Sequence, residues 1–393
     1  MVPGMSRRVF RINLTAFVTD FALYLVWTAI PFKAIGLGAT PAELGLLPAI
    51  ASSTYVLTTV FAGRLSDKLS RLLLARLGCV VFAGGCLLVL RAPSVVQILP
   101  VLPLVGLGMG FFWPPIQAAL ADEGNVRSLE KNIGLFNVFW STGKAMGFLV
   151  AGSLYARSGA GPILLLASAV MLVMMLVIPR KRAEVPDELD DERAEFKQIR
   201  SGDLRAFLHM AWLANAIAFG VGHTLNTQYP KLMVEIGLGS GSFGVYLSLI
   251  FLVQTLAFLL LRTYQGWKFR RLPAYTIQGA MGVAVVLVSF ARPLPLILLS
   301  ALPLGLSLGL AYHASITYSL AGHVGRGHRA GIHESLLGAG NLLIPLTGGL
   351  LASALGNLRL PYWFCGVVVL VGLLAQETIW RRRGRDGSPA DRG

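Results

Sequence analysis

Charge is scarce in this sequence: Asp, Glu, Lys and Arg make up 13% of its 393 residues, about half the share a water-soluble domain uses to cover its surface. Hydrophobic residues reach 55%, so lipid rather than water is the expected solvent for much of the chain. Cysteine is also rare. Cys79, Cys86 and Cys365 lie in apolar runs with no C-x-x-C or Cys/His spacing, which argues against a disulfide frame and predicts buried thiols. Catalytic triads and paired carboxylates are missing. The segment Ser141-Thr142-Gly143-Lys144 resembles the end of a phosphate loop, but Val138 replaces the first glycine of that motif and Ala145 its hydroxyl residue. Neither an enzyme nor a cofactor is expected.

What is abundant is the long apolar run. Stretches able to cross a bilayer, roughly 17 to 25 residues each, fall at 12–35, 41–62, 72–90, 94–120, 132–156 and 162–178, then at 206–229, 242–261, 273–291, 293–320, 330–354 and 361–379. The expected fold is an all-α membrane protein of twelve transmembrane helices. Alternating the loops between two sides puts six basic residues on one side, Lys33, Arg91, Arg157, Lys231, Arg292 and Arg359. Lys144 falls within a span, and the remaining 27 of the 34 Lys and Arg share the side of both termini. The positive-inside rule therefore predicts cytoplasmic termini, and the expected location is a bacterial cytoplasmic (inner) membrane. A net charge of +15 is then read as attraction to anionic lipid, not to nucleic acid.

One polar, acidic stretch divides the chain into 1–179, a cytoplasmic linker 180–204 and 205–393, the last with a short basic tail. The two sides repeat each other. An offset of 199 pairs Pro31 with Pro230, Gly45 with Gly244, Gly106 with Gly305 and Gly110 with Gly309; an offset of 197 then pairs Gly134 with Gly331, Gly143 with Gly340, and Ala151-Gly152 with Gly348-Gly349. This predicts two pseudo-symmetric six-helix bundles with a solute site near the midplane between them.

The loop after the second span reads Gly63-Arg64-Leu65-Ser66-Asp67-Lys68-Leu69-Ser70-Arg71. It resembles the G-x-L-x-D-[RK]-x-G-R loop of the major facilitator superfamily, with Ser70 at the second glycine. The resemblance implies the major facilitator fold, with Gly63, Arg64, Asp67, Lys68 and Arg71 gating the cytoplasmic ends of the halves. The fifth span is similar to the G-x8-G-x3-G-P-x2-G-G stretch of the twelve-helix drug/proton antiporters through Gly134, Gly143, Gly147 and Gly152, with Phe148 at the proline. The eleventh span carries Gly331, Gly340, Pro345, Gly348 and Gly349, with Ile344 at the third glycine. All nine are candidates for helix flexing, although close packing also selects glycine. The fourth-helix arginine tied to proton transfer in those antiporters is absent, with Pro103 nearest its place.

Polar groups inside spans are costly and so mark cavities or partners. Asp20 is read as the one acid deep in a span, able to bind a proton, pair with a cationic solute or form a structural ion pair. Lys144 shares a helical stripe with Asn137 and Ser141, beside Trp140, and is read either as holding an anionic group or as neutralising Asp20. The equivalent stripe offers Glu334, expected to gate at its helix end, and Asn341. Asn215, His223 and Asn226 share a face of the seventh span, and His313 lies in the tenth. Trp113 and Tyr55 are possible stacking platforms. His323, His328 and His333 fit a solvated loop better than a metal site. The leading expectation is proton-coupled export of a small lipophilic or amphipathic solute by a monomer in contact with membrane lipid. The alternatives are uptake or facilitated passage of a small polar or anionic solute, and a lipid flippase or non-transporting receptor.

Overall fold

The computed structural model describes residues 6–68, 71–121, 126–178, 201–320 and 326–383, with the side chains of 60, 62–68, 71, 121, 126–131, 201, 320, 326–328 and 330 left aside. Among the described residues twelve helices of 18 residues or more occur and no strand. They are α1 (Arg7–Gly36), α2 (Pro41–Lys68), α3 (Arg71–Arg91), α4 (Leu102–Ala121), α5 (Val126–Ser158), α6 (Ala160–Val177), α7 (Ser201–Thr227), α8 (Ser240–Thr263), α9 (Arg271–Val288), α10 (Ala301–Leu320), α11 (Arg326–Leu355) and α12 (Leu360–Arg382). Eleven are long and apolar enough to cross a bilayer; α2 completes the set. Helix is the form a lipid-solvated chain must take, because it satisfies its backbone internally.

Local signals fix the ends. Ser6 Oγ accepts from Val9 N at 3.1 Å and starts α1. Before α2, Thr40 N donates to Glu43 Oε2 at 2.8 Å while Glu43 N donates to Thr40 Oγ1 at 3.2 Å, a reciprocal cap. Left-handed glycines turn the chain after α1, α5, α7 and α11, at Gly38, Gly159, Gly237 and Gly356. The first and third are 199 residues apart and the second and fourth 197, so the turns repeat with the helices.

The packing repeats as well. In the first half α1 lies on α5 and α6, and α4 on α2 and α3; in the second α7 lies on α11 and α12, and α10 on α8 and α9. Two crossings, α5 on α8 and α2 on α11, join the halves. A Cβ on Gly45 would stand 2.6 Å from Pro345 O, and one on Gly244 would stand 2.6 Å from Phe148 O. These are equivalent contacts, related by the same two offsets. Large apolar side chains such as Leu88, Leu176, Leu287 and Leu374 are exposed on the outer helices α3, α6, α9 and α12, where hydrocarbon would cover them. Cys79, Cys86 and Cys365 are free and buried.

Candidate solute cavity

Between the halves lies an open cavity with about 810 Å³ of space not filled by atoms, open solvent included. The duplication supplies its frame. Asp20 and Phe219, Tyr24 and His223, and Trp113 and Tyr312 are wall residues at equivalent positions 199 apart, and Trp140 with Leu337 and Lys144 with Asn341 are equivalent at 197. Equivalent backbone positions thus carry different chemistry at two places, where Asp20 and Lys144 of the first half are matched by Phe219 and Asn341 of the second. Trp27, Tyr55 and Phe136 add aromatic surface.

Asp20 on α1 is 4% exposed, and among the described residues no hydrogen bond or ion pair reaches its carboxylate. The ion pairs among the described residues are Arg271–Glu377, Arg381–Glu377 and Arg383–Asp203, so none joins Asp20 to Lys144. Lys144 on α5, 3% exposed, instead rests its Nζ 4.1 Å from the ring centre of Tyr24, 3.9 Å from Phe251 and 5.7 Å from Phe219. A desolvated ammonium over ring faces recovers about 2 kcal/mol.

Glu334 corrects the expectation of a single deep acid. It reaches the cavity wall from α11, accepting from Tyr55 Oη at 3.1 Å and from Gln117 Nε2 at 3.2 Å. Both donors belong to the other half, so this carboxylate bridges the halves.

Trp113, Trp140, His223 and Asn341 also line the cavity. Five expected residues do not. Asn137 Oδ1 accepts from Trp140 Nε1 at 3.0 Å, so it aims the ring from behind. Ser141 turns into the α5–α8 crossing, meeting Thr255 Oγ1 at 2.9 Å and donating to Phe251 O at 3.2 Å. Asn215 lies inside the second half with its Nδ2 3.4 Å from His333 Nδ1. Asn226 is buried, its amide unpaired among the described residues. His313 packs its ring 5.4 Å from that of Trp267. The face joining Asn215 to Asn226 runs about 16 Å along the helix axis, and the cavity takes only its middle.

His333 is no loop residue: it is fully buried, with Nδ1 2.6 Å from Ser315 Oγ. His323 lies outside the described residues; His328 falls within α11, its side chain left aside together with those at Gly63, Arg64, Asp67, Lys68 and Arg71. Of the nine helix-flexing candidates, Gly143 meets Phe17 O, Gly147 Phe21 O, Gly152 Ser240 O, Gly340 Ala216 O, Gly348 Pro361 and Gly349 Pro41 O. Pro345 O faces Gly45 across the other inter-half crossing; Gly134 has only the Arg262 side chain nearby and Gly331 faces open space.

The halves are also tied at the end remote from the 180–204 connection. Gln228 Nε2 donates to Pro41 O at 2.9 Å, Lys231 Nζ donates to Ala39 O, and Ala42 N donates to Ser353 Oγ at 2.8 Å.

A sequence profile of the Major Facilitator Superfamily matches residues 12–330. Quinolone resistance protein NorA of Staphylococcus aureus (strain MRSA252) is 21% identical over 387 residues, covering 94% of this chain and 96% of its own. Multidrug resistance protein 1 of Bacillus subtilis (strain 168) is 21% identical over 373 residues, covering 93% and 94%. Among solved structures, a bacterial homolog of the human lysosomal transporter Spinster, inward-facing and unoccupied, superposes with a TM-score of 0.75 at 15% identity over 99% of this chain and 100% of its own. The human organic anion transporter MFSD10 gives 0.67 at 17% identity, over 94% and 99%. At these identities the structural likenesses establish the fold.

Proposed function

This chain belongs to the Major Facilitator Superfamily, which makes it an integral membrane transporter of small solutes rather than an enzyme, and from that premise we propose that it exports a small amphipathic solute in exchange for protons. The observation that carries the reading is Asp20, a buried carboxylate on the central cavity that no protein hydrogen bond or contact ion pair reaches among the described residues, the charge of Lys144 acting on it only from a distance. An ionised group so placed costs several kcal/mol, on the order of 2.5–3.5 on insertion scales. It is stable when it holds a proton or when a polar group of the solute shields it. Competition between proton and solute for one carboxylate is an exchange mechanism, provided the cavity opens alternately to the two sides.

Rocking of the segments 1–179 and 205–393 about the linker 180–204 would supply that alternation. The ties through Gln228, Lys231 and Ala42 close the end remote from the linker. With cytoplasmic termini that end is the external one, so the cavity is shut off from the outside. The aromatic walls, Trp27, Trp113, Trp140 and Tyr312, suit a flat apolar body, and the names of the NorA and Bacillus relatives point to drug-like compounds. We place the transporter in a bacterial cytoplasmic membrane, as a monomer surrounded by lipid.

The purified chain in liposomes tests this. With an acidic lumen, outward proton flow should drive a zwitterionic quinolone into the vesicles, and a protonophore should abolish the accumulation. Uptake that ignores both the gradient and the protonophore would remove proton coupling from the reading.

A further inference from the structure

Lys144 sits where a ligand would. Its ammonium lies against the faces of Tyr24 from α1 and Phe251 from α8, with Phe219 from α7 on a third side. The rings are held in place independently of the lysine. Phe148, one turn further along α5, stacks on Phe251 at 5.4 Å with the planes 8° apart, and its centre is 4.8 Å from that of Tyr24. Converging aromatic faces around a point that accepts a cation form the arrangement that recognises quaternary ammonium groups. The ring set draws on both halves of the molecule, so a cation in it also fastens them together at mid-height.

The surrounding charges sharpen the point. Asp20 and Glu334 share the cavity with this lysine, and His223 stands on the facing wall. Without Lys144, two carboxylates amid aromatic rings would make a strong site for lipophilic cations. With it, the ring set is already filled by a cation of the chain's own, fixed on a tether that no solute concentration can dilute.

We propose that Lys144 determines charge specificity: its ammonium fills an aromatic cation box and thereby excludes solutes with a permanent positive charge, reserving the cavity for neutral, zwitterionic or acidic amphipaths. The proposal rests on the cavity being the solute site and deepens that reading by naming the class of solute. Tyr24, Phe219 and Phe251 are then the receptor, and Lys144 a built-in competitor.

The test is equilibrium binding of benzyltrimethylammonium to the purified full chain in detergent, followed by calorimetry. Lys144→Met removes the competitor while filling similar volume, and should raise affinity for this cation by roughly ten-fold or more. Lys144→Arg keeps a fixed cation in the box and should bind as weakly as the original chain. Adding Phe251→Leu to Lys144→Met should cancel the gain, because the nearest ring face of the receptor is gone. Should Lys144→Met fail to fold, Lys144→Gln serves in its place. Equal binding by the original chain and the lysine-free variant would overturn the proposal, as would a gain that survives Phe251→Leu, since the cation would then be held by the carboxylates alone. Because no pH gradient enters the measurement, its failure is separable from failure of proton coupling: quinolone accumulation with unchanged cation binding would sink only the specificity claim.

Discussion

Gly340→Ala is expected to destabilise the protein sharply, and Gly143→Ala to do the same in the other half. Alanine ordinarily improves a helix, by about 0.5–1 kcal/mol relative to glycine. At these two positions the new methyl would meet main-chain carbonyls, Ala216 O for Gly340 and Phe17 O for Gly143. A carbonyl locked in the hydrogen-bonded ladder of a neighbouring helix cannot swing aside like the end of a flexible side chain, so the helices must separate. Overpacking of this kind costs about 1–3 kcal/mol, which outweighs the propensity gain. Gly331 provides the control: it lies in the same helix as Gly340 but faces open space, and Gly331→Ala should be neutral or slightly stabilising. Thermal unfolding in detergent of the three variants separates the outcomes. Because Gly143 and Gly340 lie in different halves, the double variant should show nearly additive losses; equal stability of Gly340→Ala and Gly331→Ala would mean that the crossings are looser than described.

The same glycines explain why the fold is so legible in the sequence. A close helix crossing needs a residue without a side chain at one point, and duplication copies that need, so Gly143 and Gly340, 197 apart, mark the crossings of α1 on α5 and α7 on α11 in the sequence itself, and Gly106 and Gly305, 199 apart, those of α4 on α2 and α10 on α8. The apolar runs add twelve crossings because hydrocarbon thickness leaves little choice of length. The cavity is less legible. A helical stripe such as Asn137, Ser141 and Lys144 states that three residues share a face, yet α5 has neighbours on several sides. Here α8 takes Ser141, the aromatic box takes Lys144, and Asn137 goes behind Trp140. Glu334 escapes a reading by position for a similar reason, since its place near a helix end does not reveal that Tyr55 and Gln117 draw its carboxylate inward. Tyr24 carries a signal: it occupies the place equivalent to His223, and extending the repeat from the glycines to the polar candidates finds it, as it links Trp113 to Tyr312.

Asp20→Asn should reduce gradient-driven accumulation to the level of protein-free vesicles, because asparagine copies the shape and hydrogen-bonding capacity of the protonated acid but never gives up its proton. A carrier locked in that state can still bind a neutral solute and equilibrate it. Exchange of labelled for unlabelled solute across the membrane should therefore survive while uphill transport is lost. Glu334→Gln makes the contrast. The carboxylate there already spends both oxygens on donors from the other half, and an amide would keep Gln117 as donor but turn its N–H₂ onto Tyr55 Oη as an acceptor, so the bridge survives without its charge and is weaker by about 1 kcal/mol. That energy belongs to one conformation, so its loss shifts the balance between the two states of the carrier and alters transport rate without severing the link to protons. Measured side by side under an imposed gradient and in exchange, the two variants should fail differently: Asp20→Asn in accumulation alone, Glu334→Gln in the rates of both. If Glu334→Gln abolished accumulation while Asp20→Asn retained it, the proton would ride on the bridging carboxylate, and opening the Tyr55–Glu334 contact would become the step that releases it.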